Sequence, residues 1–154
     1  MKKIALLSLC ILLALSAACP ALPAAYAEEE IPVDVTIGEK MFIAQTDDIY
    51  FNANDFLGKT IKLEGMFFNL SYGPDEPPFY TVTRYGPGCC GNDGTIGFIV
   101  WLDEDADLSV PENDDWVEAI GVLEIFEMYD QEFLRLNLKS LKVLDVRGLE
   151  TVVQ

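Results

Sequence analysis

Apolar and polar residues alternate along several stretches of this chain, and that alternation predicts most of its elements. Over residues 60–68, Ile61, Leu63, Gly65 and Phe67 share one face, while Lys62 and Glu64 take the other. That is the two-residue period of a strand. Residues 79–84 are β-branched and aromatic, and 95–102 are strongly apolar, so both read as strands. Residues 116–126 form a fourth, with Gly121 inside it. In 133–145, Leu134, Leu136 and Leu138 share a face, and the pattern resumes out of phase at Leu141 and Val143. Such a shift implies a bulge or sharp bend near Lys139 and Ser140.

The intervening segments read as loops: 70–78, the glycine-rich 85–94, the acidic 103–115, and a turn over 128–132. Ahead of the first long strand, a short strand is expected at 41–44 and a strand end and turn at 48–54. Residues 54–58 resemble a capped helical turn closing on Gly58. Glycine inside a strand is unfavourable unless the strand coils sharply or another backbone comes close. Gly65 and Gly121 therefore point to tightly coiled strands. The expected fold is all-β, a small five-stranded OB-like barrel with one short helical turn. A β-sandwich would need about seven strands.

The N-terminus has a different pattern. Lys2 and Lys3 precede an apolar run over residues 4–18, and Ala25-Tyr26-Ala27 offers a small-x-small site before Glu28-Glu29-Glu30. Residues 1–27 read as a signal peptide cleaved after Ala27, placing the protein in a secreted or extracytoplasmic location. The alternatives are an uncleaved anchor and lipidation at Cys19. The remainder divides into an acidic lead-in, 28–40, and the β-barrel domain, 41–154. No direct membrane insertion is expected after cleavage.

The 154-residue chain carries 26 acidic and 10 basic residues, a formal charge of −16. Cleavage removes Lys2 and Lys3 and no acid, leaving eight cations and a charge of −18. Nucleic-acid partners are excluded on that ground, because phosphate binding needs a surplus of Lys and Arg. With no histidine in the chain, Ser-His-Asp triads, Cys-His dyads and His-ligated metals are ruled out. No paired carboxylates at catalytic spacing, phosphate loop or nucleophile elbow is identifiable, and no enzymatic activity is expected.

Cys10 and Cys19 leave with the signal peptide, so Cys89 and Cys90 are the remaining thiols. They lie between Gly88 and Gly91, close to Asp93. Two thiolates and a carboxylate suit a soft or borderline cation, and the candidate metal site is Cys89, Cys90 and Asp93, with zinc the candidate cofactor. The competing readings are a vicinal disulfide, a thiol-redox pair, and two packed thiols. Residues 103–107 have the acidic start of a Ca²⁺ loop, but Leu108 stands where glycine is needed and Asp114 where glutamate is. Trp101, Trp116, Phe67, Phe68, Tyr72, Phe79 and Tyr80 divide between a core and a possible groove.

Several blocks occur together in one family: Asn54-Asp55-Phe56-Leu57-Gly58-Lys59-Thr60-Ile61, Leu63-Glu64-Gly65-Met66-Phe67, Arg84 ahead of Cys89-Cys90-Gly91-Asn92-Asp93, and Trp116-Val117-Glu118-Ala119-Ile120-Gly121. The chain resembles the C-terminal extracytoplasmic domain, of unknown function, of the YcgQ-type permease-subunit family. The resemblance spans residues 41–146 in order of motifs. In that family the domain follows transmembrane helices, whose place a signal peptide takes here. The resemblance implies a permease-associated binding or accessory module, with a membrane permease or envelope protein as partner. A structural module docking on an envelope protein is the third reading, beside metal binding and thiol redox chemistry.

Overall fold

The alternation at residues 60–68 becomes β2 (Thr60–Asn69), which buries Ile61, Leu63 and Phe67. The computed structural model describes residues 30–71, 73, 77–88, 91–103 and 108–153. Its other long strands are β3 (Tyr80–Gly88), β4 (Gly91–Trp101), β5 (Trp116–Met128) and β6 (Gln131–Val143). The described residues are mostly β, an all-β arrangement with two short α-helices.

Among the described residues there are six strands where five were expected. The additional one, β1 (Val35–Thr36), comes from the acidic lead-in and pairs in parallel with Ile61 and Lys62 of β2. Two residues are too few to show a period, so alternation does not reveal it. The sheet order is β1-β2-β3-β4-β6-β5, and β2 also pairs with β5, so the five long strands form a ring. Its pairs are antiparallel except β4 with β6.

The short strand expected at 41–44 is instead the start of a helix, α1 (Phe42–Phe51). Phe42, Ile43, Thr46 and Ile49 are its buried positions. That is the one-sided spacing of a helix, and it outweighs the local strand propensity of Phe and Ile. A four-residue helix, α2 (Ala53–Phe56), follows in the region of the expected helical turn. Its N-cap is Asn52 rather than Asn54, and the Asn52 amide donates to Asp48 Oδ1 on α1. Phe42, Ile43 and Ile49 join Ile61, Leu63, Val117 and Leu136 in one core.

The two strand glycines sit where backbones converge. β2 pairs with β5 through Thr60–Met66 on one side and with β3 through Met66–Asn69 on the other. A Cβ at Gly65, where the partners change, would lie 2.8 Å from the Thr83 carbonyl oxygen. A Cβ at Gly121 would lie 2.9 Å from the Asn137 carbonyl oxygen. The phase shift in the last strand is a bulge. Ile120 pairs with Ser140 and Gly121 with Leu138, leaving Lys139 as the extra residue.

Candidate functional site

β3 and β4 continue well past the strand ends expected at Arg84 and Thr95. Their antiparallel pairing runs to Gly88 and Gly91, through what was expected to be a loop. β3 leaves β2 after Thr83, so the outer half of this hairpin stands away from the ring. The chain's C-terminal segment covers the freed edge: Tyr85 N–H donates to the Glu150 carbonyl at 2.8 Å, and Val152 N–H to the Tyr85 carbonyl at 2.8 Å. On β4, the Tyr50 hydroxyl donates to the Gly97 carbonyl at 2.9 Å, and its ring stacks on Phe98 at 5.3 Å. Tyr50 is 45% exposed, and the partial desolvation it undergoes against β4 pushes its pKa up to about 12.

The pairing changes register between Gly86 and Gly88, so the hairpin is irregular just behind its tip. Bulges of this kind redirect neighbouring side chains. Cys89 and Cys90 are the two residues between the paired Gly88 and Gly91, and they lie outside the described residues. Asp93 is placed by its backbone on β4, and its side chain likewise lies outside them. Residues 72, 74–76 and 104–107 are outside them too, including Tyr72, Asp75, Glu76 and most of the acidic run after Trp101. Among the described residues, no group of three or more Asp, Glu or Cys is arranged to hold a metal.

Arg84, the residue opening the candidate loop, points inward and is 1% exposed. Its Nε donates to the Glu64 carbonyl at 2.8 Å, and its Nη1 to the Leu149 carbonyl at 3.0 Å and Glu39 Oε2 at 3.4 Å. Its guanidinium lies 4.7 Å from the Phe42 ring and 4.8 Å from that of Trp116. Desolvation lowers its pKa, opposed by Glu39. The Leu149 N–H, donating at 2.9 Å, holds the Glu39 carboxyl below its ordinary value, with Arg84 adding to the effect. Arg84 thus ties together the lead-in, β2, β3 and the C-terminal segment. Its role is to fix the base of the hairpin.

The expected aromatics separate clearly. Phe67 and Trp116 are buried; Trp101 is half-buried on the outer face, where its Nε1–H donates to Asp103 Oδ1 at 3.0 Å. There Arg135 lies between Trp101 and Phe126, 4.7 and 5.0 Å from their rings, and its Nε donates to Glu124 Oε1 at 2.6 Å.

A second feature was missed from the sequence. A groove of about 630 Å³ opens on the outer face of β2, β5 and β6, beside the lead-in. Lys62, Lys139, Lys142 and Ser140 line it, with Ile31, Val33 and Ile120 as its apolar surface and Glu30 and Glu118 at its edges. The phase shift at Lys139 was legible in the sequence and was the available signal. Without knowing that Ile31 and Val33 pack beside β2, it did not suggest a cavity.

A closed all-β sheet with an anchored, glycine-flanked hairpin defines a small β-module. The chain belongs to the DUF1980 C-terminal domain family, a domain of unknown function, whose model matches residues 21–153. No curated protein and no solved structure matches it.

Proposed function

We propose that this chain is a secreted, non-enzymatic binding or accessory module that holds a soft cation such as Zn²⁺ at the tip of the β3–β4 hairpin. Cys89, Cys90 and Asp93 are the ligands, and water or a partner group completes the shell. The observation that supports this reading is the pairing of Gly88 with Gly91. Cys89 and Cys90 follow Gly88 and precede Gly91 in the sequence, and the base of this hairpin is fixed by Arg84. The ring is an OB-like barrel in this reading. Its single parallel pair, β4 with β6, requires a crossover rather than a simple meander, as Greek-key barrels have. Export with cleavage after Ala27, and association with a YcgQ-type permease or another envelope protein, complete the proposal.

The test is titration of Zn²⁺ and Cu(I) into the reduced protein and into Cys89→Ser/Cys90→Ser, with native mass spectrometry of a metal-replete preparation. The proposal expects one equivalent of metal in the wild type, none in the variant, and similar melting of both. Neighbouring cysteines close no long loop, so replacing them removes little constraint on the unfolded chain. Equal metal affinity in the two proteins would eliminate the site. A two-dalton mass deficit without metal would favour a vicinal disulfide, and reversible oxidation with turnover would favour thiol-redox chemistry.

A further inference from the structure

We propose that the groove on the outer face of β2, β5 and β6 binds a monocarboxylate with an aliphatic body. The carrying feature is the bulge in β6. In a regular strand, successive side chains point to opposite faces. Here Lys139 is the extra residue, the buried positions on either side are Leu138 and Leu141, and both Lys139 and Ser140 line the groove. An ammonium and a hydroxyl therefore stand on consecutive residues of one face. Two adjacent donors match the two oxygens of a single carboxylate.

The surroundings define the rest of the ligand. Ile120 lies in register between Lys62 of β2 and Ser140 of β6, and it forms the floor with Ile31 and Val33 beside it. That aliphatic surface suits a hydrocarbon body, and the volume of about 630 Å³ falls in the range of small-molecule sites. Three of the eight cations in residues 28–154 line this groove. Among the described lining residues, Glu30 and Glu118 offset two of these cations, a balance of about +1 that suits a monoanion. Lys62 is already paired with Glu118, and Glu118 stands opposite Lys142 in register. Lys139 forms no ion pair with any described acid, which leaves its ammonium for the ligand. None of these residues belongs to the β3–β4 hairpin, so the site is independent of the metal proposal.

The probe is octanoate, with octanamide as its uncharged isostere, followed by backbone chemical shifts of the purified protein. Saturable shifts centred on Ile120, Lys139 and Ser140 are expected. Lys139→Gln should weaken octanoate about tenfold. Ser140→Ala should weaken it about threefold, and Lys59→Gln, a cation outside the groove, should leave it unchanged. Lys139 is exposed and Ser140 only half-buried, so both variants should fold, and their melting temperatures check this. Octanamide binding as tightly as octanoate would overturn the proposal, as would wild-type affinity in Lys139→Gln. So would the absence of saturable shifts up to about 20 mM octanoate. Octanoate binding that emerges only in Glu28→Gln/Glu29→Gln would assign the groove to the chain's own acidic segment and also overturn it.

Discussion

Replacing Arg84 with methionine tests whether this buried cation holds the fold together. The substitution keeps much of the apolar stem but leaves the carbonyls of Glu64 and Leu149 without the donors that reach them at 2.8 and 3.0 Å. Hydrogen bonds from a charged donor contribute about 1.5–3 kcal/mol each. The Glu39 contact adds least, because it is 3.4 Å long and its carboxylate side chain is 42% exposed. Removing the guanidinium also relieves its desolvation, which offsets part of the loss. The two stranded carbonyls still decide the sign, and the net cost is about 3–4 kcal/mol. Urea denaturation reads that directly, and melting should fall by roughly 10–15 °C. Arg84→Lys should recover less than half, since a single ammonium cannot reproduce the planar fork that reaches both carbonyls. A loss below about 1 kcal/mol in Arg84→Met would refute the reasoning and make the cage incidental.

Gly65→Val and Gly121→Val should each destabilise by more than about 2 kcal/mol, because the added carbon meets backbone carbonyls rather than a side chain that can turn aside. Near-wild-type melting of both would show that the strands can separate at little cost. The Glu39 carboxyl is held below its ordinary value of 4.5, so its contribution is complete above that value and is lost as pH falls through the lower folded-state pKa. The melting difference between wild type and Glu39→Gln should therefore shrink on acidification below pH 4.5, and a difference that grows would contradict this sign.

The strands legible in the sequence were those long enough to show a period. β2 and β5 were read to within a few residues, and the jump from Leu138 to Leu141 correctly announced a bulge. Two kinds of element were not legible. β1 is two residues held by the edge of β2, and only the tertiary partner makes it a strand. α1 begins with Phe42 and Ile43, whose local preference suits a strand, and the decisive spacing emerges only when Thr46 and Ile49 are known to face the same core. The outer half of the β3–β4 hairpin was read as a loop because four glycines lie within residues 85–94. Glycine weakens strand propensity, but pairing across the hairpin and the cover from residues 150–152 override it. At the candidate sites, composition pointed to the two cysteines, while the groove depends on Ile31 and Val33 of the lead-in, whose place beside β2 carried no signal in the sequence.

The distribution of cations carries one more consequence. All three arginines lie against aromatic rings: Arg84 and Arg147 at 4.8 and 5.9 Å from Trp116, and Arg135 between Trp101 and Phe126. The weakly hydrated guanidinium packs readily on aromatic faces, whereas the strongly hydrated ammonium favours a rim, which is where the groove lysines stand. An anion approaching that rim is attracted locally and repelled by the whole molecule, which carries a charge of −18 over residues 28–154. Those charges lie at a mean distance of about 20 Å on the size expected for this chain length, and together repel by about 3–4 kcal/mol without screening. Screening leaves about 2 kcal/mol of that at 0.01 M salt and about 0.3 kcal/mol at 0.15 M. The local attraction at about 4 Å loses only a few tenths of a kcal/mol over the same change. Octanoate should therefore bind about tenfold more tightly at about 0.15 M salt than at about 0.01 M, opposite to the usual trend for anion sites. Titrations at the two salt concentrations decide the matter, and affinity that falls with added salt would mean that the local lysines outweigh the acidic field.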